Sequence, residues 1–402
     1  MKGIARFFTL YWIIYFPTCI AYNDLPGFSS VDEAMTVLLL IYTLWMCSHN
    51  RSINKRPWKE FTVCISLIVF YTVYSLLFGA NVSGAVWLDL MQEIRPYTII
   101  FCTWILNPRF TNIQKKWMLG TMVLTLFSWI LYHPATFESQ NAEFPVLGQL
   151  AICTGMSWYL FTKATKRNRN IALLLVLTGM LAPKFKFMGE VVCFIGFVYF
   201  VKNRLNFKSP KTMIYVVLLV TVILMVTWTR FDAYYVSGLS NDELARPMTY
   251  KTSLRILWDY LPFGSGMGSF ACNGAWKYYS PLYYKYNLNG IWGLNESGGF
   301  ICDAYYPTLA QFGIVGVFFF CWFWKRRLAA FDIIADMRYY RVAMITFCCL
   351  AIEQTADSSW LSGKGMGYCM LIALCLNANR NAMEQRRREE MRKKMLETHK
   401  NR

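Results

Sequence analysis

Apolar residues run along this chain in long unbroken blocks, separated by short polar segments that carry most of the charge. A helix needs ~20 mainly apolar residues to cross ~30 Å of hydrocarbon. Twelve stretches meet that pattern: 6–22, 32–48, 60–79, 86–106, 117–133, 146–162, 171–187, 188–201, 211–229, 301–324, 342–360 and 365–379. The strands of a membrane barrel alternate polar and apolar side chains over about ten residues, and these runs do not alternate. The pattern predicts an all-α, polytopic transmembrane helical bundle of about 12 spans. Two runs are interrupted. Glu93, Arg95 and Pro96 break the fourth, and Pro183, Lys184 and Lys186 close the seventh.

The basic residues orient this bundle. With the N-terminus in the cytoplasm, 31 of the 41 Lys and Arg fall inside, against 7 of the 23 Asp and Glu. The inner face then carries +24 and the outer face −6, as the positive-inside rule requires. The formal net charge of +18 is thus a topology signal, and a nucleic-acid partner is not needed to explain it. Composition agrees: 56% of residues are hydrophobic and 16% are charged, where soluble proteins carry about 25% charged residues. Both termini are expected in the cytoplasm. Residues 1–229 form spans one to nine with short loops, 230–300 a large outer loop, 301–379 spans ten to twelve, and 380–402 a basic tail. The Met1–Tyr22 segment lacks a small-residue cleavage site and reads as a retained span. The thirteen cysteines fall almost entirely inside spans, as small apolar residues do. Cys272 and Cys302 are both on the outer side and within reach of a disulfide reading.

Ten basic residues stay on the outer side against the trend, among them Arg95, Lys184, Lys186, Arg230, Arg246 and Arg255. Ionisable groups at the edge of a span usually pair or mark a pathway, and the guanidinium fork matches phosphate oxygens. Two readings stand: an anion site at the outer interface, or snorkelling and pairing with Glu93, Glu190 or Asp232. Glu353 and Asp357 are four residues apart, on one helix face at the outer end of span eleven. They are candidates to partner the cations or to bind a ligand. Aromatics of the large loop, such as Trp276, Tyr284 and Trp292, either stack on a ligand or form an interfacial belt. No P-loop, no GxGxxG between a strand and a helix, and no Cys/His metal spacing occurs. Neither a nucleotide cofactor nor a metal is expected, so an energy-rich substrate must bring its own leaving group.

The sharpest motif is SLRILWDYLPFGSGMGSF, Ser253–Phe270, with Gly264, Gly266 and Gly268 at alternate positions. Such glycines permit left-handed turns whose N–H groups can cradle an anion. Downstream, Glu296 and Asp303 precede AYYPTLAQFGIVGVFFF, where the Tyr-rich segment containing Tyr305 re-enters the membrane. This order of R-x-x-W, P-x-G-x-G-x-G-x-F, an acidic residue and a G-I-x-G span resembles the O-antigen polymerase and O-antigen ligase superfamily. The resemblance is tight over 255–316 and looser elsewhere, where it rests on twelve spans and a large loop between the ninth and tenth.

The resemblance implies a metal-independent glycosyltransferase of the bacterial inner membrane, acting at its outer leaflet. It would move glycan from undecaprenyl pyrophosphate to an acceptor hydroxyl. In polymerases the acceptor is a lipid-linked repeat unit, as for O-antigen or capsule, and a separate protein sets chain length. In ligases it is the lipid A core. Ligases of this pattern carry a His before the tenth span. Here that position is Asp303, and the outer-side His133 is far away in sequence, which favours the polymerase. The expected roles are Arg255, Arg246 and Arg230 on pyrophosphate, with Arg95, Lys184 and Lys186 in support. Asp303 is the first candidate base, or else the N-cap of the tenth span, and Glu296 is the second. A twelve-span secondary transporter or flippase is the reading from a different class.

Overall fold

The structure, a computed structural model, describes residues 2–24, 30–49, 55–132, 145–181, 184–206 and 208–381. His133, Pro183 and most of the basic tail lie outside the described residues. Every regular element described is helical. In chain order they are α1 Lys2–Asp24, α2 Val31–His49, α3 Lys55–Phe78, α4 Ser83–Leu106, α5 Asn112–Tyr132 and α6 Pro145–Phe161. There follow α7 Lys166–Leu177, α8 Phe185–Ile195, α9 Pro210–Phe231, α10 Ala245–Asp259, α11 Asn273–Lys277 and α12 Pro281–Lys285. The last are α13 Gly313–Asp332 and α14 Met337–Glu353, then α15 over 366–381.

Each of the twelve expected stretches contains helix, but among the described residues only four helices are long and apolar enough alone to cross a membrane: Val31–His49, Pro57–Phe78, Pro210–Val236 and Tyr306–Asp332. The others fall short for separate reasons. Asp89, Glu93 and Arg95 lower the hydropathy of α4, and α6 has 17 residues. The seventh stretch ends as α-helix at Leu177, continues as a tight turn of helix to Leu181, and α8 begins at Phe185. Lys184 is therefore the N-cap of α8 and Lys186 lies in its first turn, rather than both closing the seventh helix.

The C-terminal half of α4 and the start of α15 form the buried axis, with nearly every residue from Glu93 to Leu106 and from Met366 to Leu376 shielded. Around them pack α1, α2, α3, α5, α6 and α14, with α8 joining α14 to the peripheral α9. No residue of α9 is buried.

The expected outer loop is a folded lobe. Ile256, Phe270, Cys272, Leu282, Tyr283, Leu288, Leu294 and Ile301 form its own apolar core. Cys272 and Cys302 are free thiols, and Cys272 Sγ instead caps α11 by accepting from Ala275 N–H at 3.4 Å. Several loop aromatics hold the lobe together. Tyr283 is fully buried, Tyr279 donates to Leu294 O at 2.9 Å, and Tyr286 donates to Asp259 Oδ2 at 2.6 Å. Trp276, Tyr278 and Trp292 remain exposed.

The glycine motif seats this lobe on the bundle. Gly264, Gly266 and Gly268 all have positive φ, of 82°, 90° and 76°. A Cβ on Gly268 would lie 2.6 Å from the backbone of Ala85, and one on Gly264 would lie 2.3 Å from Gly313 N. Only glycine allows that backbone-to-backbone approach.

Candidate functional site

At the end of the bundle that carries the lobe, four tyrosines tie the lobe to the end of α14. Tyr235 and Tyr250 both donate to Thr355 O, at 2.7 and 2.9 Å. Tyr306 donates to Ala351 O at 3.0 Å, and Tyr305 N–H to Gln354 O at 3.1 Å. These bonds draw the 303–306 turn, the first turn of α10 and the segment after Glu353 to one place.

Arg246 and Asp303 meet there. Arg246 Nε donates to Asp303 Oδ2 at 2.8 Å and Nη2 reaches the same oxygen, while the guanidinium stacks 4.4 Å over Tyr234. Asp303 does not cap the tenth span, because the helical turn begins after Tyr305 and α13 after Phe312. Burial raises its carboxyl above the usual carboxylate range, and the Arg246 guanidinium opposes that shift. Its further charged neighbours are Asp357 and Lys186.

Lys186 bridges two carboxylates, with Nζ 2.6 Å from Glu353 Oε2 and 2.8 Å from Asp357 Oδ2. Ser359 Oγ completes the set by donating to either carboxylate, at 3.2 Å to Glu353 and 2.9 Å to Asp357. Gln149 in turn donates to Ser359 at 2.5 Å. Lys184 lies beside Lys186, Arg230, Asp303 and Asp357. Burial, and then the like charges of Lys186 and Arg230, bring its ammonium below the ordinary lysine value. Arg230 is exposed at the end of α9, 5.5 Å over the Phe185 ring. Thus Lys184, Lys186, Arg230 and Arg246 gather around Asp303, Glu353 and Asp357.

Other expected site residues are elsewhere. Arg255 is exposed. It follows Arg246 by nine residues on α10, which at ~100° per residue puts it on the opposite face and ~13 Å along the axis. Glu296 is also exposed and accepts from the Tyr284 hydroxyl on the lobe. Arg95 is fully buried at a neighbouring corner. It is 2.8 Å from Asp32 and 2.5 Å from Glu33, and it also donates to Leu361 O. Its partners are thus on α2, not Glu93, Glu190 or Asp232. Tyr305 is buried and faces Glu93.

The glycine turn is not an open anion nest. Gly264 N–H donates to Tyr260 O at 2.7 Å, Gly266 N–H to Gln311 O at 2.9 Å, and Gly268 N–H to Asp89 Oδ2 at 3.0 Å. All three residues are buried, so their donors serve the fold.

The sequence reading missed Asp89, which also accepts from Gln311 Nε2 at 2.7 Å and so clamps the turn to α4. Glu190, expected as a partner for the outer cations, lies fully buried and accepts from the Tyr368 hydroxyl at 3.1 Å. Asp89 and Glu93 are four apart on α4, the same spacing that singled out Glu353 and Asp357, and that signal was available. Among the described residues no group of three or more His, Cys, Asp or Glu is arranged to hold a metal ion. No protein-family model matches the chain, and no curated protein matches it.

Proposed function

We propose that this protein is a polysaccharide polymerase of the bacterial inner membrane. It transfers glycan from an undecaprenyl-pyrophosphate donor to a lipid-linked repeat unit at the outer face. The observation that supports this reading is the gathering of Lys184, Lys186, Arg230 and Arg246 beside a half-buried carboxylate, Asp303.

The chemistry assigns each group a task. The acceptor hydroxyl oxygen bonds to the anomeric carbon, and the bond from that carbon to the phosphate oxygen breaks with its electron pair leaving on pyrophosphate. Asp303 takes the hydroxyl proton, and the cations stabilise the leaving charge. Arg246 links the two events. While it is paired to Asp303 it suppresses the carboxylate's basicity. An arriving pyrophosphate competes for the guanidinium and releases the base only when the donor is bound. Lys184 and Arg230 lack the short carboxylate bridges that hold Lys186, so they supply the remaining charge.

A second reading has its own observation. Glu190 and Glu353 are buried carboxylates beside Lys186 within the bundle, and such groups also mark ion pathways in transporters. Glycan profiling of a deletion strain separates the readings. The strain would carry wild type, Arg246→Ala or Asp303→Asn at matched protein levels. Single repeat units on carrier or core in the variants support the polymerase. Long polymer accumulating on carrier lipid indicates a ligase. Normal polymer in every strain refutes both and leaves transport.

A further inference from the structure

The end of the bundle away from Asp303 holds a cavity of about 220 Å³, against about 20 and 30 Å³ for two others in the bundle. It lies between the α6–α7 connection and the start of α14. Its cationic wall is Lys163, Lys166, Arg169, Arg338 and Arg341, and among the described residues no Asp or Glu lines it. The 17 residues of α14 separate it from Glu353 by ~25 Å.

A positive-inside bias requires charge but no particular arrangement, and this charge is arranged. Arg341 donates from Nε to Val201 O and from Nη1 to Tyr159 Oη, both at 2.8 Å. Arg338 Nη1 donates to Thr162 O at 2.9 Å. Carbonyls and a phenol fix both guanidinium groups without neutralising them. Among the described residues the one carboxylate within 4 Å of either guanidinium is that of Asp336, 3.9 Å from Arg338 and half-exposed. Arg169 stacks 4.4 Å over Tyr199 and keeps a buried Nε without a hydrogen-bond partner. The first turn of α7 opens beside them, capped by the Thr165 side chain accepting from Asn168 N–H, and a helix N-terminus adds to the attraction for an anion.

We infer that this cavity is a binding site for a phosphate group, supplied by an anionic phospholipid headgroup or by a soluble phosphate. Preorganised arginine forks suit tetrahedral phosphate oxygens, and the exposed Lys163 and Lys166 stand at the mouth as the adjustable charges. The full-length protein, reconstituted in phosphatidylcholine nanodiscs with or without phosphatidylglycerol, provides the test. Native mass spectrometry reads retained lipid, and titration with inorganic phosphate and pyrophosphate reads the soluble source. Lys163→Gln with Lys166→Gln, both on exposed positions, should keep the wild-type melting temperature. The pair should weaken phosphate-group binding about 10- to 30-fold at low salt. Loss of phosphatidylglycerol retention alone assigns a lipid headgroup, and loss of phosphate or pyrophosphate binding alone assigns a soluble ligand. Equal binding of every probe by wild type and variant overturns the inference.

Discussion

Replacing Asp303 by Asn tests the candidate site with the least disturbance. The amide keeps the size of the carboxylate and an oxygen for Arg246 Nε, but it cannot take a proton. The Asp303 side chain is 25% exposed and that of Arg246 15%. A fully buried pair would cost 3–5 kcal/mol to break, and an exposed one about 0–1. This part-shielded pair loses its charge but keeps a hydrogen bond, so the stability cost should be about 1–2 kcal/mol. Removing a positioned general base costs 10²- to 10⁴-fold in rate. Activity should therefore fall far more than stability. The assay is polymer ladder formation by purified protein from undecaprenyl-pyrophosphate repeat units, with the melting temperature measured in parallel. A variant that folds and polymerises within about threefold of wild type would refute Asp303 as the base and remove the main role assigned to Arg246.

Other expectations follow from neighbouring geometry. Because burial raises the Asp303 carboxyl, the base is protonated at a higher pH than a free carboxylate. The rate should hold above that raised value and fall as pH drops through it, and a pH–rate profile whose acid limb moves or vanishes in Asp303→Asn checks this. Lys186→Met leaves Glu353 without its cation and Asp357 with only Lys364, 3.9 Å away. The expected cost is about 3–5 kcal/mol, read as a lowered melting temperature and partly restored by adding Glu353→Gln. Gly268→Ala forces a Cβ onto the Ala85 backbone at positive φ and should destabilise by about 2–4 kcal/mol, measured by thermal unfolding in detergent. Arg255→Ala removes an exposed side chain across α10 from Asp303. It should change stability by less than about 0.5 kcal/mol and leave the polymer ladder unchanged.

The hydrophobic blocks made the helices legible because a twenty-residue apolar run has few other options. The limits of that signal appear where polar groups find partners far away in sequence. Asp89 sits in α4 because Gly268 and Gln311 supply its donors, and Arg95 because Asp32 and Glu33 receive it. No local pattern reports those pairings. At the site, the sequence singled out Lys184, Lys186, Arg230, Arg246, Asp303, Glu353 and Asp357, because charge retained at the edge of an apolar run needs a reason. It grouped Arg255 with Arg246 and read the glycines as an open anion nest, and the structure separates the first pair and turns the amides of the second inward. Helical phase turns Arg255 away from Arg246, and a glycine-rich turn reads alike whether its amides face a ligand or a buried carboxylate such as Asp89.

The ion pairs and hydrogen bonds of α4 also bear on how the chain is made. In a bilayer each charged residue at mid-helix costs ~2.5–3.5 kcal/mol to insert, and α4 carries Asp89, Glu93 and Arg95. The two carboxylates that receive Arg95, Asp32 and Glu33, have already emerged from the ribosome when α4 does, while its third acceptor, Leu361 O, follows 266 residues later. The donors for Asp89 come 179 and 222 residues later. At ~5–20 residues per second that is a delay of roughly 10–45 s. For that interval the Asp89 carboxylate lacks both of the donors that the folded chain gives it. The polar partners of α4 are complete only when the lobe folds down onto it, so assembly of the C-terminal half decides when the middle of the N-terminal half is fully paired.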